Sequence, residues 1–227
     1  PGWVAGAALM TFTATGAYGY YNTNVLNDYQ TSSASEASAV AYERKFGAYL
    51  DLPQPKIVDL TLDVALYPEE RRAVTKGRYR LRNLTAQPIP EIHVRLFGED
   101  LELASATMDG ARLRLRDAEF GHSIYRLDRP MQPGEERVLA FETRLHVRGF
   151  RNQPTNTKLV ENGTFLNETD LMPMVLTGNV GRVQDPETRR KHGLPEIAGM
   201  PKLEDLSATA NPAPGRGWAK VEITLST

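Results

Sequence analysis

Residues 56–82 constrain the fold more than any other part of the chain. Val58, Leu60, Leu62, Val64 and Leu66 alternate with Asp59, Thr61, Asp63 and Ala65, the period of two expected of a strand with one buried face. Tyr67-Pro68-Glu69-Glu70 interrupts the run, and Gly77-Arg78-Tyr79-Arg80-Leu81-Arg82 alternates again. A second strand returning antiparallel is therefore predicted. Further strands are expected at 89–97 (Ile92, Val94 and Leu96 inward), 101–108, 111–116, 124–127, 137–147 (Leu139, Phe141, Leu145 and Val147 inward) and 218–227. At 111–116, Leu113 and Leu115 should point in, with Arg112, Arg114 and Arg116 on one outer face. At 218–227, Ala219, Val221, Ile223 and Leu225 should point in. Short strands separated by Gly and Pro turns predict a mainly β chain, an antiparallel sandwich or saddle. No strand–helix–strand alternation is present, which argues against a nucleotide-binding parallel sheet.

Two helices accompany the strands. Ser32 to Leu50 carries Ala37, Val40, Ala41, Tyr42, Phe46 and Tyr49 at three- and four-residue spacings, with Glu36, Glu43, Arg44 and Lys45 elsewhere. This predicts an amphipathic helix capped by Ser32 or Ser33 and ended by Pro53-Gln54-Pro55. Residues 185–193 have an Asp cap, Pro at the first position, Glu in the first turn, basic residues last and Gly after the end, which predicts a short helix. Between them and the last strand, residues 195–217 read as a proline-rich loop. Residues 1–27 contain no charged side chain, although 24% of the chain is charged. Their length and the tyrosines at 18, 20 and 21 suit the outer end of a transmembrane helix with an interfacial aromatic belt; the alternative is a segment packed on the β-domain. The expected organisation is the end of a membrane-anchoring segment and linker at 1–30, a bridging helix at 31–53, and a β-saddle domain at 54–227 that is truncated at its C-terminal end.

Candidate chemistry is sparse. The chain has 27 Lys plus Arg against 28 Asp plus Glu, so no global basic field marks a nucleic-acid partner. It has no cysteine, which removes thiolate metal sites and cysteine nucleophiles. His93, His122, His146 and His192 lack the three- or four-residue spacing of a metal helix, and His93 and His146 fall on positions expected to face solvent. There is no GxSxG elbow, and Gly178-Asn179-Val180-Gly181 lacks a phosphate-loop lysine. Glu69-Glu70 and Glu135-Glu136 read as solvated hairpin tips. Arg112, Arg114 and Arg116 could grip an acidic group, or simply blunt a sheet edge. Asn83, Asn162 and Asn167 each open a glycosylation sequon, a pattern frequent by chance.

Taken in order, several stretches resemble the aminopeptidase N (gluzincin) metallopeptidases, in particular bacterial forms that follow ABC-transporter permease helices. They are Tyr20-Tyr21-Asn22-Thr23-Asn24-Val25-Leu26-Asn27, Tyr42-Glu43-Arg44-Lys45-Phe46, residues 55–83, Asn162-Gly163-Thr164-Phe165-Leu166-Asn167 with Pro173, Arg189-Arg190-Lys191-His192-Gly193-Leu194, and residues 218–227. The resemblance implies the non-catalytic N-terminal β-saddle of such a protein, since neither the GxMEN segment nor the HExxH zinc motif occurs. Zinc is then expected only in an absent catalytic domain, with no cofactor in this chain and no catalytic or metal residue. The same resemblance implies that the loop 164–168 edges the peptide pocket, with Asn167 and Glu168 as candidates for touching a substrate N-terminus. It also implies an extracytoplasmic (periplasmic) location anchored in the membrane, with the downstream catalytic-like domain as partner. Met172-Pro173-Met174-Val175 stands where the family usually has Pro-Cys-Phe-Asp. An extracytoplasmic module that binds a peptide or partner without any peptidase activity is the second reading, and a free-standing carbohydrate- or adhesin-type sandwich the third.

Overall fold

The computed structural model describes residues 2–98, 100–152, 157–176, 180–197, 204 and 218–227. The loop expected at 195–217 lies largely outside them, as do Gly178 and Asn179. The helices are α1 (Gly2–Tyr20), α2 (Ser32–Phe46), α3 (Glu168–Leu171) and α4 (Pro186–Lys191). The strands are β1 (Lys56–Tyr67), β2 (Arg72–Arg82), β3 (Ile89–Arg95), β4 (Leu101–Met108), β5 (Ala111–Asp117), β6 (His122–Met131), β7 (Glu136–His146), β8 (Leu159–Val160), β9 (Gly163–Thr164), β10 (Met174–Val175) and β11 (Lys220–Ser226). They form a five-stranded sheet A, ordered β11-β1-β2-β7-β4, and a four-stranded sheet B, ordered β10-β3-β6-β5, with β8 and β9 as a separate hairpin. The fold is thus the mainly β sandwich expected, antiparallel except where β11 runs parallel to β1.

The inner faces of the two sheets make the principal core. Leu60, Leu62 and Val64 of β1, Tyr79 and Leu81 of β2, and Leu139 and Phe141 of β7 meet Ile92 and Val94 of β3 and Tyr125 and Leu127 of β6. Gly77 sits where the Phe141 ring crosses β2, and a Cβ there would come within 2.0 Å of the ring. A bulge between Ile57 and Asp59 shifts the register, so Ile57, and not the expected Val58, packs against this core. Residues 122–131 make a longer strand than the expected 124–127.

α2 lies on the opposite face of sheet B. Its cap is Thr31, one residue before the expected serines, whose hydroxyl accepts from the Ala34 N–H at 3.0 Å. Tyr42 and Phe46 pack on Phe120 and, together with Tyr49 in the following 3₁₀ turn, close over the outer face of β3 and β6. Ala37 and Ala41 remain exposed, whereas Glu43, expected on the polar side, is buried. The reason is Arg189 of α4. Its guanidinium donates to both Glu43 oxygens at 2.9 Å, and the Val183 N–H adds a third bond at 2.8 Å. Glu43 is 5% exposed and Arg189 3%, so neither charge has water to fall back on. α4 itself forms where expected, capped by Asp185, which accepts from the Thr188 N–H at 2.6 Å.

α1 shows no buried residue, and Thr11, Thr13 and Thr15 turn their hydroxyls back onto the helix's own carbonyls. Among the described residues no helix is long and apolar enough to cross a membrane. α1 runs into a π-turn (Tyr21–Val25) that is pinned to the end of β7. The Asn27 side-chain amide donates to the Arg148 carbonyl at 3.0 Å and to that of Asn22 at 2.9 Å. Gly149, at φ +56°, leaves room for the Asn22 side chain that a Cβ would strike at 2.3 Å.

Two outcomes follow from this packing. Glu43→Gln leaves the buried Arg189 without its counter-charge, and Arg189→Met leaves Glu43 with only Arg182, at 3.9 Å, as a counter-charge among the described residues; each should cost about 3–5 kcal/mol, read as a drop in the urea midpoint at unchanged m-value, and combining Glu43→Met with Arg189→Met should recover most of it. Gly77→Ala should cost about 1–3 kcal/mol by overpacking against Phe141, measured in the same way.

Candidate functional site

Residues 157–176 form a flap stitched across one open side of the sandwich. Leu159 is buried with Ala73, Leu101, Leu145 and Val147, and Leu166 packs beside it. Lys158 pairs with Asp170 at 2.8 Å. Two inner-face hydroxyls of sheet A hold the far end: Thr143 donates to the Leu171 carbonyl, and Tyr79 to that of Pro173 at 2.7 Å. Burial pushes the Tyr79 phenol far above its ordinary range, so it stays a donor. β10 then joins sheet B through Met174 and Val175.

The tip of this flap is what remains outside. Phe165 is 77% exposed, and Glu168, the first residue of α3, is exposed with its carboxylate in no ion pair among the described residues. Asn167, the other candidate, is half-buried and occupied. Its side-chain oxygen accepts from the Thr169 hydroxyl at 2.7 Å, and its N–H donates to Asp170 at 3.1 Å, a reciprocal arrangement that starts α3. The two candidates are neighbours with different surroundings: Asn167 shapes the turn, and Glu168 carries an exposed carboxylate three residues after the exposed Phe165. That suits contact with an ammonium group; the neighbouring acid, Asp170, is spent on Lys158 and the Asn167 N–H.

The arginines of β5 do not make a grip. A bulge between Leu113 and Leu115 splits the expected row. Arg114 is held by Glu91, with both oxygens at 2.7 Å, while Arg116 turns to the other side and donates to the Leu103 carbonyl. Leu113 and Leu115, expected inward, are 49% and 37% exposed because β5 is an edge strand. An open groove of about 1540 Å³ runs between residues 25–30, α2 and the β3–β4 and β5–β6 connections. Its charges are largely engaged within the protein: Arg151 pairs with Asp100 at 2.5 Å, and Arg95 donates to the Phe120 carbonyl at 3.1 Å. Glu135 is no free hairpin tip either, since it receives Arg129 at 2.8 Å and Arg137 at 2.9 Å. Asn83 is fully buried and donates to the Gln87 and Met131 carbonyls, which removes its sequon from modification.

The histidines hold the main surprise. His146 is exposed as expected, but His93 is buried, because α2 covers the outer face of sheet B. His93 Nδ1 and His122 Nε2 are 3.2 Å apart, and His122 Nδ1 meets the Tyr42 hydroxyl at 3.2 Å. Phe46 stacks on the His122 ring at 4.1 Å. Burial drives both imidazoles down, His93 to about 4 and His122 to about 3, so both are neutral at pH 7. The facing nitrogens are spent on each other, and among the described residues no group of three His, Cys, Asp or Glu is placed to hold a metal ion. These residues therefore do not fit a zinc ion. The signal for the pair was present in Ile92-His93-Val94, an apolar run on both sides of the histidine, next to an amphipathic helix in need of a sheet to cover.

No protein-family model matches the chain, and no curated protein matches it. Among solved structures, it is similar to an M1 zinc metallopeptidase from Deinococcus radiodurans, at 19% identity over 44% of this chain and 22% of that one, with a TM-score of 0.35. A two-domain M1 zinc metallopeptidase mutant bound to L-arginine matches at 17% identity over 56% of this chain and 31% of that one, with a TM-score of 0.39. The chain spans less than a third of these proteins, and at such scores the likeness decides neither fold nor family.

The two flap residues differ in what their loss should cost. Asn167→Ala should lower stability by about 1 kcal/mol through loss of the cap, whereas Glu168→Gln should stay within about 0.5 kcal/mol of the unaltered chain, both by urea titration.

Proposed function

We propose that this chain is a non-catalytic docking domain, the N-terminal β-saddle of a membrane-anchored, aminopeptidase N-like zinc metallopeptidase linked to ABC-transporter permease helices. On this reading it packs against a catalytic domain and edges its peptide pocket. The observation that carries the docking role is β11. Val221, Ile223 and Leu225 are paired side by side with Leu60, Leu62 and Val64 of β1, so they continue the core-facing stripe of sheet A by one strand. Yet they are 55%, 51% and 64% exposed: sheet A has one strand more than sheet B, and among the described residues none covers this face of β11. The expectation that these residues are inward is right for direction and wrong for burial. An uncovered apolar stripe continuous with a core is the surface a further domain would cover.

The family part of the reading rests on the sequence resemblance. The anchoring part rests on α1, an uncharged helix with no buried residue and self-satisfied threonines that would form the end of an anchoring segment rather than a complete span. Zinc and the peptidase reaction would belong to the partner domain, and Glu168 would stand at the rim to meet a peptide ammonium group.

The test compares this chain with a longer one extended through several hundred further residues. Zinc content of about one ion and aminopeptidase activity should appear only in the longer protein, where Ile223→Asp should reduce the yield of folded, active enzyme. Glu168→Gln should there raise KM with little change in kcat. A longer protein without zinc and without activity overturns the peptidase reading and leaves an extracytoplasmic peptide- or partner-binding module.

A further inference from the structure

We infer that the interface between α2 and sheet B is an acid-sensitive latch: protonation of the His93–His122 pair releases α2, together with α4, while the sandwich beneath stays folded. The pair lies outside the main core. His93 and His122 point away from sheet A, toward Tyr42, Phe46 and Tyr49, and the inner face of the same strands is formed by Ile92, Val94, Tyr125 and Leu127. Losing the cover of α2 therefore does not open the contact between the sheets.

The geometry cannot hold two charged rings, and a single charge would sit buried between aromatic side chains. The contacts from Tyr42 to His122 and from His122 to His93 are satisfied when the Tyr42 hydroxyl donates to His122 Nδ1 and the opposite N–H of His122 donates to His93 Nδ1. The remaining proton then sits on His93 Nε2, which is buried without a hydrogen-bond partner. Charging both rings would set N–H against N–H across 3.2 Å.

Among the described residues, the carboxylates nearest the pair are already engaged. On β3, Glu91 is 4.0 Å from His93 Nε2 but is already held by Arg114 of β5 and lies 3.8 Å from Arg126 of β6. Asp117 of β5 is held by Lys45 of α2 at 2.5 Å. Arg95 of β3, stacked 3.6 Å above the Tyr42 ring, adds a further positive charge. Tyr42 and Tyr49 are neutral neighbours. Both histidines have folded pKa values depressed below the ordinary 6.5. Their contribution is thus complete above pH 6.5 and is lost as pH falls toward the folded values.

What moves is set by the other face of α2. Glu43–Arg189, Lys191 and His192 on Glu36 at 2.6 Å, and Arg44 on the His192 carbonyl at 2.8 Å bind α2 to α4. Lys191 and His192 hold the Glu36 carboxyl below its usual range, so this tie survives mild acid. α2 and α4 open as one unit.

Hydrogen–deuterium exchange of the intact chain, corrected for intrinsic rates, tests this. Each imidazole that binds a proton only in the open form raises opening about tenfold per pH unit below about 6.5. Protection at residues 34–46 and 186–192 should fall at least about tenfold between pH 7 and pH 5.5, while β2 and β7 keep theirs. His93→Gln with His122→Gln should abolish the difference. Unchanged protection of α2, loss in step with β2 and β7, or an unaltered pH profile in the double variant each overturns the latch. If that variant does not fold, the comparison of α2 with β2 and β7 in the unaltered chain decides alone.

Discussion

Sheet B is covered on both faces, and most of the molecule's unusual chemistry follows from that constraint. One face belongs to the core shared with sheet A, the other to α2. A strand between two covers cannot send its alternate side chains to water, so whatever polar groups it carries must find partners inside. His93, His122 and Tyr42 do so in a chain of contacts, and Glu43 does so through Arg189 from a distant part of the sequence. Sheet A has the opposite situation. Its outer face carries Asp59, Arg80 and Glu136 in cross-strand ion pairs at the surface, contacts of small individual worth.

This difference also explains which parts of the fold were legible. β2, β7 and β1 from Asp59 onward follow a period of two because one of their faces is wet, and the sequence pattern predicted them closely. β3 and β6 are harder to read. Their pattern is obscured by buried polar residues, and 122–131 looked shorter than it is. The bulges at Val58 and Arg114 reverse which residues face in, and a local pattern carries no mark of an inserted residue. Glu43 could not be read as buried, because its partner lies 146 residues away.

The candidate site was legible in outline. The polar, turn-rich segment around 162–168 does form an exposed tip, but its two singled-out residues separate once contacts are known. Asn167 is committed to starting α3, and only Glu168 is available. The apolar alternation at 218–227 correctly gave a strand and its facing side. Whether a second layer covers that side depends on the number of strands in the opposite sheet, which no local pattern encodes.

The pin at Asn27 gives the molecule a pole. Asn27 ties the base of α1 to residues just beyond β7, and the flap hairpin sits on Ala73, Leu145 and Val147 at the same end of sheet A. The last pair of the β1–β11 ladder, Ala65 with Ser226, lies there too. Three strand spacings separate β7 from β11, about 14 Å. Whatever grasps α1 and whatever settles on the Leu225 end of the β11 stripe must therefore share one end of the sandwich as close neighbours.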